Sequence, residues 1–122
     1  MSKTKKRILY VEDHPDTREL IETILKEYEC TSAYSKADAL SLATKEKFDL
    51  YLLDYHLPGG NGIELCLLIK NFDTKTPILF LTGTSSMTER QALKIGSQGL
   101  IKNTGDNFVE KLEKKVSELL ED

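Results

Sequence analysis

The sequence predicts an α/β protein built on one five-stranded parallel sheet with helices on both faces. Two observations support this fold class. Apolar runs of strand length recur along the chain, and amphipathic segments separate them. Five rounds of strand and helix are typical of a parallel sheet that is covered on both sides. Right-handed crossovers leave few topologies, and the doubly wound strand order 2-1-3-4-5 is the commonest of these.

The first half of the chain is expected to supply three strands and two helices. Pro15 suits the first turn of the opening helix, and Ser35 can cap the second one. The expected strands are Ile8–Val11, Thr31–Tyr34 and Leu50–Leu53. Helical spacing predicts an apolar face in each helix, formed by Leu20, Ile21, Ile24, Leu25 and Tyr28 and by Ala39, Leu40, Leu42 and Ala43.

The second half begins with a loop rich in proline and glycine, after which three helices alternate with two strands. The apolar residues of a helix that begins near Gly62 recur at helical spacing, and these are Ile63, Leu67, Leu68 and Phe72. The expected strands are Ile78–Leu81, which Pro77 opens, and Gly99–Ile101, with a weak helix between them at Glu89–Ile95. The closing helix places its apolar residues on one face, and these are Phe108, Leu112, Val116 and Leu119.

Bulk properties narrow the class of protein. At 122 residues we expect a single domain spanning 1–122, with residues 1–6 as a flexible N-terminal tail. A net charge of −3 argues against a nucleic-acid module, and no apolar stretch is long enough for a membrane span. Cys30 and Cys66 lack metal-ligand spacing and are interpreted as reduced packing residues, which fits a cytoplasmic protein.

Three acidic residues follow two of the predicted strands. Asp54 ends the third strand, and Glu12 and Asp13 end the first. These strands are neighbours in the predicted order, so their carboxyl ends meet at the switch point where α/β sheets bind ligands. Such a cluster suits a hard divalent cation with oxygen ligands, and Mg²⁺ is the natural candidate. Alternatively, Glu12 and Asp13 cap the first helix, although that role leaves Asp54 unexplained.

Two further strand ends complete a candidate site for phosphoryl transfer. Thr82 ends the fourth strand with a hydroxyl group, and Lys102 ends the fifth with an ammonium group. A lysine can neutralise phosphate oxygens without demanding bidentate geometry. Aspartate is a known nucleophile for acyl-phosphate formation, and such transfer depends on positioning and charge neutralisation. We therefore predict that Asp54 is the phosphoacceptor.

The sequence resembles response-regulator receiver domains over essentially its whole length. The matching motifs are Glu12-Asp13, Asp54 with Pro58 and Gly62 behind it, Leu81-Thr82-Gly83, and Lys102. This resemblance implies a flavodoxin-like fold and a switch in a two-component phosphorelay. In that family the aspartate that matches Asp54 accepts phosphate from the phosphohistidine of a sensor histidine kinase or a phosphotransfer protein.

The resemblance also implies roles for individual residues. Asp13, Asp54 and the backbone carbonyl of His56 would bind Mg²⁺, and Glu12 would help through water. Thr82 and Lys102 would hold the phosphoryl oxygens. Reorientation of Thr82 would then change the face that binds a downstream protein target, or an output domain outside this chain. A receiver catalyses its own phosphorylation and dephosphorylation and is not a turnover enzyme.

The chain departs from the family pattern after and before Lys102. The family usually has a proline in a cis peptide after this lysine, and here the residue is Asn103. The family also carries an aromatic residue shortly before the lysine, whereas residues 99–101 contain none. We expect these departures to affect signal transmission more than phosphorylation. His56 and Thr84 match positions that flank the phosphoryl group, and His56 is a candidate for tuning its hydrolysis.

Three other functions are alternatives to this one. A phosphatase with an aspartyl-phosphate intermediate needs a second acid two residues after the nucleophile, where this chain has His56. An FMN-binding module needs a phosphate loop after the first strand, where Glu12 and Asp13 would repel phosphate. A degenerate receiver would bind partners without phosphorylation, and only Asn103 and the missing aromatic residue favour it.

Overall fold

The computed structural model describes residues 5–121, which form one central sheet and a short hairpin. The elements in chain order are β1 (Arg7–Val11), α1 (Pro15–Ile24), β2 (Glu29–Ala33), α2 (Lys36–Lys45), β3 (Leu50–Leu53), β4 (His56–Leu57), β5 (Gly60–Asn61), α3 (Gly62–Lys70), β6 (Ile78–Thr82), α4 (Glu89–Lys94), β7 (Leu100–Lys102) and α5 (Phe108–Leu120). The sheet has the order β2-β1-β3-β6-β7. All its strand pairs are parallel, which confirms the predicted fold class and strand order.

The strand register aligns the carboxyl ends of the central strands. Val11 lies opposite Leu53 in the neighbouring strand, and Thr82 lies opposite Lys102. Residues that directly follow β1 and β3 therefore emerge at the same edge of the sheet. This alignment is what brings the predicted site residues together.

The sheet separates two apolar layers, because successive side chains of a strand point to opposite faces. Leu50 and Leu52 of β3 pack in the layer that α1 and α5 cover. Tyr51 and Leu53 pack in the opposite layer with α2, α3 and α4. Every residue of β3 is buried, as expected of a parallel strand inside a doubly covered sheet.

Local capping fixes where several helices begin. The Ser35 hydroxyl accepts a hydrogen bond of 3.1 Å from the Asp38 amide, which confirms Ser35 as the cap of α2. Capping boxes start α3 at Asn61 and α4 at Thr88. Side-chain oxygens at these positions satisfy amides that have no partner within the helix. The short helix α4 has six residues, so this cap matters most there.

Of the four apolar positions predicted for α3, only Ile63 packs against the core. Leu65, Cys66 and Ile69 are buried instead, whereas Leu67 and Phe72 are 50% and 47% exposed. The helix carries apolar residues all round, so two different faces satisfied the same spacing. Leu20, on the predicted apolar face of α1, is also exposed, at 49%.

The predicted strand boundaries were close but not identical to those of the structure. β2 begins and ends before the predicted strand, and β6 and β7 each extend one residue further, to Thr82 and Lys102. The hairpin of β4 and β5 within the proline and glycine loop was not predicted. Its strands have two residues each, too few for an alternating pattern to be visible.

The cysteines, the possible membrane spans and the N-terminal tail were also the subject of predictions. Cys30 and Cys66 are free thiols, and Cys66 is buried in the core. Within residues 5–121, no helix has the length and apolar character that crossing a membrane requires. Most of the tail predicted at residues 1–6 lies outside the described part of the chain. The carbonyl of Lys6 accepts a hydrogen bond of 2.9 Å from the Glu29 amide.

Candidate functional site

Three carboxyl groups meet at the carboxyl edge of the sheet. Carboxylate oxygens of Glu12, Asp13 and Asp54 all lie within 4.8 Å of one another. The backbone holds them there, because the Asp54 amide donates to the carbonyl of Val11 over 3.1 Å. The Glu12 amide donates to the carbonyl of Ala33 over 3.0 Å. These bonds continue the sheet ladder by one residue, so the acids sit on rigid backbone.

The electrostatics of this cluster favour a bound cation. Glu12 is only 4% exposed, and burial together with the charge of Asp54 raises the pKa of Glu12 to about 7. Burial also raises the pKa of Asp54, although hydrogen bonds from Thr82 and the Tyr55 amide oppose that rise. Carboxyl groups whose pKa values are raised by burial lack enough positive charge nearby to compensate them. Oxygen ligands from three acids fit a hard divalent cation such as Mg²⁺.

The alternative role as helix caps applies only in part. His14 is the residue that caps α1, and its side chain makes no capping hydrogen bond. The Glu12 carboxylate accepts a hydrogen bond of 3.2 Å from the His14 amide, so Glu12 does support the start of α1. Asp13 is exposed beside the other acids, and helix capping does not account for its position.

Thr82 is buried at the end of β6 and faces Asp54. The residue is only 1% exposed, and its hydroxyl hydrogen-bonds to the Asp54 carboxyl group. The same oxygen accepts a hydrogen bond of 3.3 Å from the Thr84 amide. The Thr82 hydroxyl thus connects the acidic cluster to the loop that joins β6 to α4, so a change in the cluster or in the loop can reorient it.

Lys102 lies at the end of β7, where the sequence predicted it, but its ammonium group contacts the loop between β6 and α4. Nζ donates to the carbonyl of Thr84 and, over 3.2 Å, to the carbonyl of Met87. Asp54 is not among its hydrogen-bond or ion-pair partners in the described residues. The neighbouring Asn103 amide donates to the Thr82 carbonyl over 3.2 Å, a bond that a proline could not make.

Gly62 permits close packing behind Asp54. A Cβ atom at this position would overlap the carbonyl oxygen of Asp54 and approach the Phe80 ring to 2.9 Å. The Gly62 amide also donates to the Tyr55 carbonyl over 2.7 Å. The start of α3 is therefore fixed directly against the backbone of the candidate phosphoacceptor.

His56 follows two residues after Asp54 in the short hairpin. It pairs with Asn61, its side chain is exposed, and its ring meets the Tyr55 ring edge-on at 4.8 Å between centroids. Burial is the main influence on the pKa of Asp54 and raises it, and the imidazole of His56 lies near enough to oppose that rise. The roles of its carbonyl as a metal ligand and of its ring in hydrolysis stay predictions.

Sequence reasoning missed Arg18 and Tyr34. The Arg18 guanidinium donates hydrogen bonds of 3.4 Å to the carbonyls of both Glu12 and Asp13. It also stacks on the Tyr34 ring, 4.0 Å from the centroid. Tyr34 directly follows β2, so its position at a strand end was a usable signal. The sequence offered no such signal for Arg18, because a charged residue on a helix usually faces solvent.

Comparisons with known proteins agree with this geometry. Residues 8–115 match the family described as the response regulator receiver domain. The response regulator protein PilR of Pseudomonas aeruginosa is 37% identical over 97 residues, which cover 77% of this chain and 22% of PilR. The phosphate regulon transcriptional regulatory protein PhoB of the same organism is 36% identical over 101 residues, which cover 79% of this chain and 44% of PhoB. The chain thus spans less than half the length of these relatives.

Solved structures give the same assignment. The response regulator TrrA from Thermotoga maritima, in complex with Mg²⁺ and BeF, superposes with a TM-score of 0.84 at 30% identity, covering 94% of this chain and 99% of TrrA. The non-phosphorylated receiver domain of HemR from Leptospira biflexa superposes with a TM-score of 0.84 at 28% identity. The match covers 96% of this chain and 95% of the HemR chain. The match over residues 8–115 shows that the chain belongs to the receiver-domain family of two-component response regulators.

Proposed function

We propose that this chain is a signalling switch in which Asp54 accepts a phosphoryl group from a phosphohistidine. The donor is a sensor histidine kinase or a phosphotransfer protein. The observation that carries the proposal is the cluster of Glu12, Asp13 and Asp54 within 4.8 Å at the ends of β1 and β3. The related TrrA, whose structure contains Mg²⁺ and BeF, supports Mg²⁺ as the cation.

The positions of these groups support the following transfer step. A carboxylate oxygen of Asp54 attacks phosphorus, the P–N bond breaks, and the imidazole nitrogen keeps the electron pair and takes a proton from water. Glu12, Asp13, Asp54 and the carbonyl of His56 would hold Mg²⁺, which neutralises charge on the phosphoryl oxygens when bound. The Thr82 hydroxyl donates to one phosphoryl oxygen, since it already hydrogen-bonds to Asp54.

Lys102 provides the link to the output. We expect its ammonium group to leave the carbonyls of Thr84 and Met87 and to pair with a phosphoryl oxygen. That exchange frees the loop before α4 and biases α4 and β7 toward a second arrangement. The changed face then binds a protein target or an output domain. We place this switch in the cytoplasm, where it modifies itself and does not turn over a substrate.

The direct test is phosphorylation by a small donor. The protein is incubated with Mg²⁺ and acetyl phosphate, and its intact mass is measured. We expect an adduct of about 80 Da, one phosphoryl group, that is absent in Asp54→Asn and after chelation of Mg²⁺. The His56→Ala variant tests the tuning hypothesis, which fails if its dephosphorylation rate stays within about twofold of wild type.

A second candidate function is partner binding without phosphorylation. The observation that favours it is the ammonium group of Lys102, which contacts loop carbonyls instead of Asp54. The absence of an adduct under conditions that modify a control receiver would favour this function. An adduct on Asp54 would exclude it as the sole activity.

A further inference from the structure

A cavity lies at the amino edge of the sheet, opposite the edge that carries Asp54. It has a volume of about 460 Å³ and is bounded by the carboxyl end of α2, the segment before β3 and the segment that joins α3 to β6. This volume falls within the range of pockets that bind ligands or peptide side chains. We call it the basal groove.

The floor and one wall of the basal groove are aromatic. Phe48 and Tyr51 are buried beneath it, with ring centroids 6.1 Å apart. Phe72 lines it and is 47% exposed. One helical turn earlier, Leu68 is 38% exposed on α3. The apolar surface therefore continues from the groove along the helix.

The acidic groups of the groove are already engaged. Glu46 is paired with Arg7 at 2.5 Å. The Asp73 carboxylate accepts hydrogen bonds from the Tyr51 hydroxyl at 3.0 Å and from the Thr76 hydroxyl at 2.7 Å. Two backbone amides, of Lys75 and Thr76, donate to it as well. Burial tends to raise the pKa of Asp73, but these hydrogen bonds outweigh it and lower the pKa.

The basic groups of the groove, in contrast, are not engaged by other side chains in the described part of the chain. Lys45, Lys47 and Lys75 line it and are exposed. Among residues 5–121, none of these three ammonium groups takes part in an ion pair or a side-chain hydrogen bond. A locally positive rim around an aromatic floor stands out in a chain whose net charge is −3. Such a surface complements an acidic ligand with an apolar group.

We propose that the basal groove and the exposed face of α3 dock an acidic peptide segment of a partner protein. An aromatic side chain of the segment enters the groove, and its flanking carboxylates pair with Lys45, Lys47 and Lys75. A peptide fits better than a compact ligand, because Leu68 extends the apolar surface beyond the cavity. The docking site is separate from Asp54 and does not depend on its phosphorylation.

The test uses synthetic peptides and the intact protein. The probe panel consists of short peptides with a central Trp, Phe or Leu flanked on both sides by Glu and Asp. Matched peptides replace the acids by Lys, or the central residue by Ala. Binding is followed at low salt by amide chemical shifts in NMR spectra. We expect the acidic aromatic peptides to shift signals of residues 43–48 and 68–76 and the matched peptides to leave them unchanged.

Variants separate specific docking from general attraction. Lys47→Glu with Lys75→Glu should weaken binding roughly tenfold. The control pair Lys111→Glu with Lys114→Glu on α5 changes the net charge equally and should have little effect. Phe72→Ala should weaken binding, whereas Leu93→Ala, which truncates an exposed residue of α4, should not. Asp54→Asn should bind like wild type, so failure of the proposed phosphorylation leaves this result untouched.

Three outcomes would overturn the proposal. The first is a panel in which no peptide shifts signals around the groove. The second is an equal loss of binding in the two double-lysine variants, which would indicate nonspecific charge attraction. The third is indole-3-acetate binding as tightly as the best peptide, which would make the groove a site for a small aromatic anion.

Discussion

Lys102 Nζ donates a hydrogen bond to the carbonyl oxygen of Met87 over 3.2 Å and so joins the end of β7 to the loop that precedes α4. Met87 is fully buried although it lies in a loop, and the Thr84 carbonyl accepts from the same ammonium group. Through these two contacts the lysine stabilises the loop. Under the proposed function, we expect this lysine to exchange these carbonyls for a phosphoryl oxygen when Asp54 is phosphorylated.

The first prediction concerns this loop. Lys102→Ala should speed hydrogen exchange of the amides of residues 84–88, because two carbonyl contacts are lost and the loop opens more often. Lys111→Ala serves as the control, since it removes a lysine of α5 whose side chain makes no hydrogen bond or ion pair within residues 5–121. Equal exchange rates in Lys102→Ala and wild type would show that the lysine does not hold the loop.

The second prediction concerns Gly62, whose position leaves no room for a side chain. Gly62→Ala would force a Cβ atom against the Asp54 carbonyl and the Phe80 ring. We expect the free energy of unfolding to fall by about 1–3 kcal/mol, as for other overpacked sites, and phosphorylation of Asp54 to slow. Denaturant unfolding measures the first effect. Gly105→Ala is a matched control, because nothing lies within 4 Å of a Cβ there, and it should be close to neutral.

Mg²⁺ should stabilise the fold in a pH-dependent way. Without metal, the pKa of Glu12 in the folded protein is about 7, above its ordinary value of 4.5. A raised carboxyl pKa means that the folded state holds its proton more tightly than the unfolded state, so this group's contribution to stability falls as pH rises from 4.5 to 7. Mg²⁺ needs the deprotonated carboxylates, so its stabilising effect should grow over the same interval.

Thermal unfolding with Mg²⁺ and with EDTA measures this dependence. Mg²⁺ at about ten times its dissociation constant contributes roughly 1.4 kcal/mol. We expect a higher melting temperature with Mg²⁺ at pH 8, a small difference at pH about 5, and no difference in Asp13→Asn. A Mg²⁺ effect that is the same at both pH values would contradict the assignment of Glu12 and its neighbours to the metal site.

Arg18 is predicted to position the acidic pair. Its guanidinium bridges the carbonyls of Glu12 and Asp13 and stacks on Tyr34. Arg18→Ala should weaken Mg²⁺ binding severalfold, and Arg18→Lys should not restore it, because lysine lacks the planar fork. Tyr34→Ala should have a smaller effect. Calorimetric titration with Mg²⁺ measures these changes, with Arg90→Ala on α4 as the control. Unchanged Mg²⁺ affinity in Arg18→Ala would show that Arg18 does not position the acidic pair.

The sequence allowed the fold to be predicted because strand-length apolar runs and caps such as Ser35 act locally. It also allowed the grouping of Glu12, Asp13 and Asp54 to be predicted, since strand order alone brings strand ends together. The face of α3 could not be predicted, because a helix that is apolar all round offers more than one buried face. The partners of Lys102 were equally hidden, because a long flexible side chain reaches either the loop or the pocket from the same backbone position.

The most direct test of the central claim is chemical identification of the residue that carries the phosphoryl group. The protein is treated with Mg²⁺ and phosphoramidate, whose P–N bond resembles that of phosphohistidine, and is then reduced with borohydride. Reduction converts an aspartyl phosphate to homoserine, so peptide mass spectrometry should find position 54 about 14 Da lighter. We predict this change at Asp54 alone and its loss on removal of Mg²⁺. A reduced residue at Asp13 or elsewhere, or none while a control receiver reacts, would contradict Asp54 as the phosphoacceptor.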